Sequence, residues 1–439
     1  MRRLGSISLV VILAGAAAAQ QQSRETVIVE MKPYEGPTNP AVDPSTLTGK
    51  VMSGYQGWFT AEGDGAGMGW RHYTNRGQFR PGQCNIDLWP DVSELDADEK
   101  ITTPFKFADG SPAFVFSSHN KKTVLRHFQW MKDYGLDGVF VQRFVVETQG
   151  AAPLAHCNAV MANCREGANL HGCCYAAMYD LSGLRRGGTD RCIEDWKLLV
   201  DRMKLGRDDQ DKAYLRHNRK PVVAVWGIGF NDGRAYTLAD CDRLIEFLKN
   251  DPTYGGNTVM IGIPTYWRTQ QRDTITNAEL HMTLLKADIF SPWLVGRFGT
   301  PQAVARHARE QVQPDIAWCK EHQKEYLPVV FPGFSWHNMH NQNPRNPFDQ
   351  IPRLKGEFLW RQFTEYKAAG ATMIYQAMFD ELDEGTAIFK TSQTPPVGES
   401  RFVADAELPS DHYLWLVGQG GKLLRGEIPP SETIPKRAQ

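Results

Sequence analysis

The densest chemistry in the chain is MFDELDEGTAIF at 378–389, where Asp380, Glu381, Asp383 and Glu384 directly follow an apolar run. Acidic turns are common and usually inert, being solvated. Here no spacer separates the carboxylates from the run. Glu381 and Glu384 are three positions apart, so a helical backbone would set their Cβ atoms about 5–6 Å from each other. Two carboxyl groups held that way suit glycosidic bond cleavage: one stays ionised while the other keeps a proton for the leaving oxygen. Like-charge proximity and partial burial raise the pKa of the proton donor.

Such a pair needs elements that position it. After Lys50, apolar strand-type runs alternate with amphipathic helical stretches. The runs are 51–59, 137–144, 174–183, 221–230, 257–267, 287–296, 325–338 and 371–385, with a side strand at 113–119. Helices are expected near 123–133, 191–204, 238–249, 278–286, 303–321 and 357–369, with a last one near 413–424. Continuous apolar strands joined by such helices indicate parallel strands covered on their outer faces. Eight units close a (β/α)8 TIM barrel of the α/β class, whose active site lies at the C-terminal ends of the strands. An open doubly wound sheet is the alternative, but no GxGxxG or GxxxxGK[ST] follows any run.

The expected strand exits repeat one theme. They offer Tyr55 and Trp58, Arg143, Asp180, Trp226, Trp267, Trp336 with His337, and finally Asp380 beside the two glutamates. Five exits carry Trp when Trp293 is included. A pyranose stacks its apolar face on such rings and needs polar groups for its hydroxyls. Each of these residues is therefore a candidate substrate contact, although a single Trp is more often a packed loop residue. Arg143 has a structural alternative, pairing with Asp180 or Glu147.

Composition narrows the classes. The 439 residues contain 49 Lys plus Arg and 50 Asp plus Glu, a net charge of −1. That balance lacks the basic excess of nucleic-acid-binding proteins. A hydrophobic fraction of 41% excludes a wholly disordered chain. The aromatic inventory is 12 Trp, 14 Tyr and 21 Phe, enough both to fill a core and to line a cleft. The start, MRRLGSISLVVILAGAAAAQ, reads as a secretory signal peptide over 1–19, cut near Ala19. An extended, Pro-containing leader (20–48), one barrel domain (49–428) and a short tail (429–439) complete the expected organisation. The mature protein is expected to be secreted or periplasmic. Five of the eight cysteines lie between Cys157 and Cys192, and in an exported chain disulfides pinning a long loop are the expectation. A zinc site using Cys157, His156 and His171 is the weaker rival, because no CxxC occurs.

Three segments resemble a known family: GYQGWF at 54–59, WMKDYGLDGVFVQRF at 130–144 and MFDELDEGT at 378–386. In that order, over residues 50 to 390, they are similar to the glycoside hydrolase family 71/99-like barrels, which include the endo-α-mannosidases. Family 99 carries Glu-x-x-Glu-Gly after its last strand, and Glu381, Glu384 and Gly385 match. The resemblance implies that Glu381 acts as a base on the sugar 2-hydroxyl, giving a 1,2-anhydro sugar. It implies that Glu384 is first general acid and then base, with retention of configuration. Leu382 and Asp383 stand where the family has Trp and His. An inverting route through Asp180 or Asp380 would need carboxyls about 6.5–9.5 Å apart.

The sequence therefore reads as an exported glycoside hydrolase, with internal cleavage of a polysaccharide or glycan the expected mode. A glycan-binding protein on a degenerate barrel is the alternative. A metal-dependent hydrolase using His72, His119 or His337 would lack any HExxH or HxH pairing. No cofactor and no metal ligand set is expected, and the expected partner is carbohydrate, not nucleic acid or membrane.

Overall fold

The computed structural model describes residues 23–437. The expected signal segment 1–19 lies outside the described residues. Among them, no helix is long and apolar enough to cross a membrane.

Eight strand segments form the core, numbered here in chain order: β1 (Val51–Tyr55), β2 (Gly138–Phe144), β3 (Cys174–Asp180), β4 (Lys220–Trp226), β5 (Thr258–Pro264), β6 (Ile289–Trp293), β7 in two pieces (Glu325–Tyr326 and Val329–Val330) and β8 (Ile374–Gln376). Neighbours pair in parallel from β1 through β6. The two pieces of β7 pair on opposite sides. Glu325 and Tyr326 register with Ile289 and Phe290 of β6, while Val329 and Val330 register with Tyr375 and Gln376 of β8. Pro328 falls between the pieces, and its carbonyl accepts from the Tyr375 amide at 3.0 Å. β8 then returns to β1, with Val51 opposite Ile374. The ring is closed, as the count of eight βα units requires. The strands are buried along almost their whole length, as parallel strands covered by helices must be.

The helices fall where amphipathic periodicity puts them, with clear end signals. Lys121–Tyr134 starts at Asn120, whose side chain accepts from the Lys122 and Thr123 amides, and ends at Gly135 in the left-handed region. Leu238–Asn250 opens on a Thr237/Asp240 capping box. The last helix, His412–Arg425, packs on the 121–134 and 357–368 helices.

One expectation is overturned. The expected Cys-rich loop at 147–172 is a 21-residue helix, Ala151–His171. It buries His156, Asn158, Asn163, Arg165 and Asn169 along with Leu154, Val160 and Met161. Burial on several faces, by polar as well as apolar residues, leaves no apolar stripe to read. The disulfides fall with the loop: all eight cysteines are free. Seven are buried singly on helices, strands and turns, as small hydrophobes. The leader is also less extended than expected. Arg24–Glu30 is helical, and Asn39 and Arg216 tie this segment to the barrel through Asn169 and Pro44.

A long excursion follows β1. Residues 60–100 lead into an antiparallel hairpin, Ile101–Lys106 with Pro112–Val115. They carry an aromatic core in which Tyr73, Phe79, Trp89 and Phe105 pack ring on ring at 4.8–5.9 Å between centroids.

Close backbone approach makes Gly138 at the start of β2 irreplaceable. It has φ +150°, and a Cβ there would lie 2.0 Å from the Cys174 carbonyl oxygen of β3. Gly138→Ala is expected to lower stability by about 3 kcal/mol in denaturant titration. The same change at Gly135, where a Cβ meets nothing, is expected to cost only the left-handed backbone penalty of about 1–2 kcal/mol.

Candidate active site

The acidic turn sits at the C-terminal end of β8 and is not a solvated loop. Asp380, Glu381 and Asp383 are each at most 3% exposed; Glu384 alone reaches the surface. The turn is held from every side. Both Asp380 oxygens accept backbone N–H groups from the β1 exit, Gln56 at 2.7 Å and Gly57 at 2.8 Å. The Leu382 carbonyl accepts from the Asp87 and Leu88 amides, and the Glu384 carbonyl from the Ser335 amide at 2.9 Å. Arg353, itself buried, donates to the Gly385 and Ala387 carbonyls. Gly385 has φ +65°, and a Cβ there would meet Ser335 backbone at 2.9 Å, so the tight turn against the β7 exit demands glycine.

The two glutamates are unlike. Glu381 receives donors on both oxygens, from the Gln56 amide at 2.6 Å and the Thr386 hydroxyl at 2.5 Å. Among the described residues no donor reaches the Glu384 carboxyl. Burial, then the charges of Glu384 and Asp383, push the Glu381 carboxyl well up, against the pull of its two donors. Burial, with Asp383 beside it, pushes Glu384 up to about 8. A buried acidic group of this density keeps at least one proton at neutral pH. The donors stabilise negative charge on Glu381, and no donor does so on Glu384.

Around the pair, strand parity selects the lining residues. In β2 the even-numbered side chains turn inward: Phe140 stacks on Tyr375, and Gln142 donates to the Tyr375 hydroxyl at 3.0 Å. Tyr375 in turn feels the Glu381 charge. Gly54 of β1 leaves the room for this, since a Cβ there would lie 2.2 Å from the Tyr375 hydroxyl. Trp293 ends β6 edge-on to Trp226 at 5.6 Å and to Tyr375 at 6.3 Å. Trp226 carries the Arg234 guanidinium over its ring. Asp180 ends β3, buried and pushed up to about 6 by desolvation, with one oxygen on the Ser182 amide. On the other flank Trp58 stacks flat on His72 at 3.7 Å, and His72 Nδ1 lies 3.1 Å from Asp383. Trp336 follows Ser335 and stays half-buried at the rim.

Five of the expected contacts are engaged elsewhere. Arg143 points outward into the helix layer, where it makes two 2.6 Å bonds to Asp195 and one of 2.9 Å to Asn158. Its partner is thus neither Asp180 nor Glu147. Tyr55 is wholly buried with its hydroxyl on His127. Trp267 is wholly buried against Phe290, His281 and Trp318. Asp380, pushed up to about 7 by burial, has both oxygens committed to the β1 exit. His337 is bound to the Asn346 carbonyl and to Asp87 through its amide, so it shapes the loop. The sequence reading passed over Gln56, Gln142, Tyr375, Thr386 and the pairing of His72 with Asp383. Gln142 was findable, being one residue before Arg143 and so on the opposite face of the same strand.

No protein-family model matches the sequence, and no curated protein does. Solved structures match the shape. The chain superposes on the GH99 endo-alpha-mannosidase from Bacteroides thetaiotaomicron with a TM-score of 0.61 at 15% identity, covering 87% of this chain and 99% of that one. The fold is GH99-like. The same mannosidase in complex with bis-tris propane gives 0.59 at 15% identity, with 87% and 99% covered. A protein titled glycoside hydrolase-like protein gives 0.54 at 12% identity, covering 90% and 98%. The shared fold thus spans nearly the whole of those structures.

Two outcomes follow from this geometry. Arg143→Ala leaves the buried Asp195 without its counter-ion and with only the Tyr179 hydroxyl as a donor, and is expected to cost about 3–5 kcal/mol in denaturant unfolding. A residue that only touched substrate would leave stability unchanged. Asp180, Asp380 and Glu384 all titrate higher folded than their ordinary values near 4. The folded chain therefore holds protons that the unfolded chain releases, and their stabilising contribution, full below about pH 4, is lost as pH rises to about 8. The melting temperature should fall between about pH 5 and pH 9, and Glu384→Gln should flatten that fall.

Proposed function

We propose that the chain is an exported glycoside hydrolase that cleaves a polysaccharide or glycan internally with retention, its signal segment removed near Ala19. The observation that carries this reading is the asymmetry of the pair: two glutamates in one buried turn at the catalytic end of a barrel, one holding two donors and the other none. The GH99-like fold supports it, as does the half-buried indole set of Trp58, Trp226, Trp293 and Trp336 around the turn.

In the first step the Glu381 carboxylate takes the proton of the sugar 2-hydroxyl. That oxygen attacks C1, the C1–O bond to the leaving group breaks, and Glu384 gives its proton to the departing oxygen. A 1,2-anhydro sugar results. In the second step water attacks C1 and passes its proton to the Glu384 carboxylate, while the opening ring recovers its proton from Glu381. Attack twice at C1 retains configuration. The pair carries one proton throughout and only exchanges its location, so the buried site never takes up a second charge. Gln56 and Thr386 hold Glu381 toward the sugar and keep it a poised base, a geometry maintained before substrate arrives.

On a glycan screened as substrate, Glu381→Gln and Glu384→Gln are each expected to lower kcat by about 10²–10⁴-fold without lowering the melting temperature at neutral pH. An aryl glycoside with a good leaving group should rescue the first step of Glu384→Gln and not that of Glu381→Gln. The wild-type kcat/KM should decline above about pH 8, as Glu384 loses its proton. Wild-type turnover in Glu384→Gln, or an inverted product by NMR, would remove the mechanism.

A further inference from the structure

Beyond the acidic turn, the same end of the barrel carries a second polar cavity of about 500 Å³, formed by the β5 and β6 exit loops and the helix that begins at Pro301. It lies between the β5 and β6 units, two strands removed from β8. Its lining is basic: Arg272, Arg297 and Arg306, with the buried His307 behind them, against Glu310 and Tyr266. The three guanidiniums are engaged unequally. Arg297 is paired with Asp273 at 2.9 Å. Arg272 donates only to the Tyr266 hydroxyl at 2.5 Å and lies over that ring at 4.4 Å. Arg306 has no hydrogen-bond or ion-pair partner among the described residues. His307 is 7% exposed, packs its ring on Phe298 at 4.8 Å, and leaves Nε2 without a hydrogen bond. Arg272 and Arg306 thus present guanidinium donors with no carboxylate partner to one cavity, an arrangement that suits an acceptor-only group.

We propose that this cavity is a binding subsite for an oxyanion substituent, a carboxylate or a sulfate or phosphate ester, on the glycan that the barrel cleaves. Arginine forks match the paired oxygens of such groups in two-point hydrogen bonds, whereas a neutral hydroxyl satisfies one donor at a time. Glu310 and Asp273 leave the cavity with a surplus of positive charge, on a chain whose net charge is −1. The acidic catalytic turn would repel an anionic residue at the cleavage point, so a separate basic pocket tells the enzyme where along the chain the charge must sit. The subsite deepens the glycosidase reading and rests on it for the identity of the ligand as a glycan.

Binding is measured without cleavage, by affinity electrophoresis of the full chain in gels holding neutral dextran, dextran sulfate or polygalacturonate. The double variant Arg272→Ser/Arg306→Ser is compared with Arg219→Ser/Lys220→Ser, which removes the same charge at the opposite end of the barrel where β4 begins. Retardation by one or both anionic polymers, weakened at least tenfold in the first variant and less than twofold in the second, is the expected result. Dextran sulfate alone assigns an ester and polygalacturonate alone a carboxylate. Equal retardation by neutral dextran, equal loss in both variants, or no loss in the first overturns the subsite. Because the readout needs no turnover, a catalytically wrong Glu384 would not alter it.

Discussion

One interaction organises this end of the molecule: the Asp380 carboxylate accepting two consecutive backbone N–H groups of the β1 exit. It joins the last strand to the first at the level where the barrel opens. Once Asp380 is so held, the next residue is delivered to the Gln56 side chain, whose own backbone is half of the clamp. The carboxylate that fixes the frame and the carboxylate proposed to do chemistry are neighbours in sequence with opposite duties. A buried carboxyl costs free energy unless it is bonded, and two backbone donors are what make Asp380 tolerable there.

The electrostatics grow from that placement. Burial and neighbouring carboxylates raise Asp380, Glu381 and Glu384, and side-chain donors reach Glu381 but not Glu384. His72, flat against Trp58, brings its ring to Asp383 and so links the acidic turn to the aromatic flank. The result is a site in which burial lowers the total charge while hydrogen bonds make one carboxyl unlike the next.

The barrel was legible because its signals are local and repeated. Eight apolar runs and the intervening amphipathic stretches such as 121–134 and 238–250 need no tertiary knowledge. The acidic turn was legible because four carboxylates directly after an apolar strand are rare. What escaped has a common physical cause. Arg143, Tyr55 and Trp267 were placed by proximity to a strand end, but the side a residue faces alternates at every step, and a one-residue uncertainty turns it from cleft to helix layer. Ala151–His171 escaped because its buried faces are partly polar, with Asn158 meeting Arg143 and Asn169 meeting Asp211. Partners that distant in sequence leave no periodic trace. The cysteines misled through context: their number suited an export compartment, while their burial answers to packing.

The backbone carbonyl of Glu384 is fastened to Ser335, and the next turn of that loop is fastened in its turn by Asp87, deep in the 60–100 excursion. The aim of the outermost glutamate is thereby set by a segment with a separate ring-stacked interior, remote from the barrel in sequence. Under the proposed mechanism, natural variation or grafting in that segment would retune proton delivery without altering a single carboxylate. The excursion would then belong to the catalytic apparatus as much as the strands beneath it, and a transplant of the barrel alone would leave the proposed acid adrift.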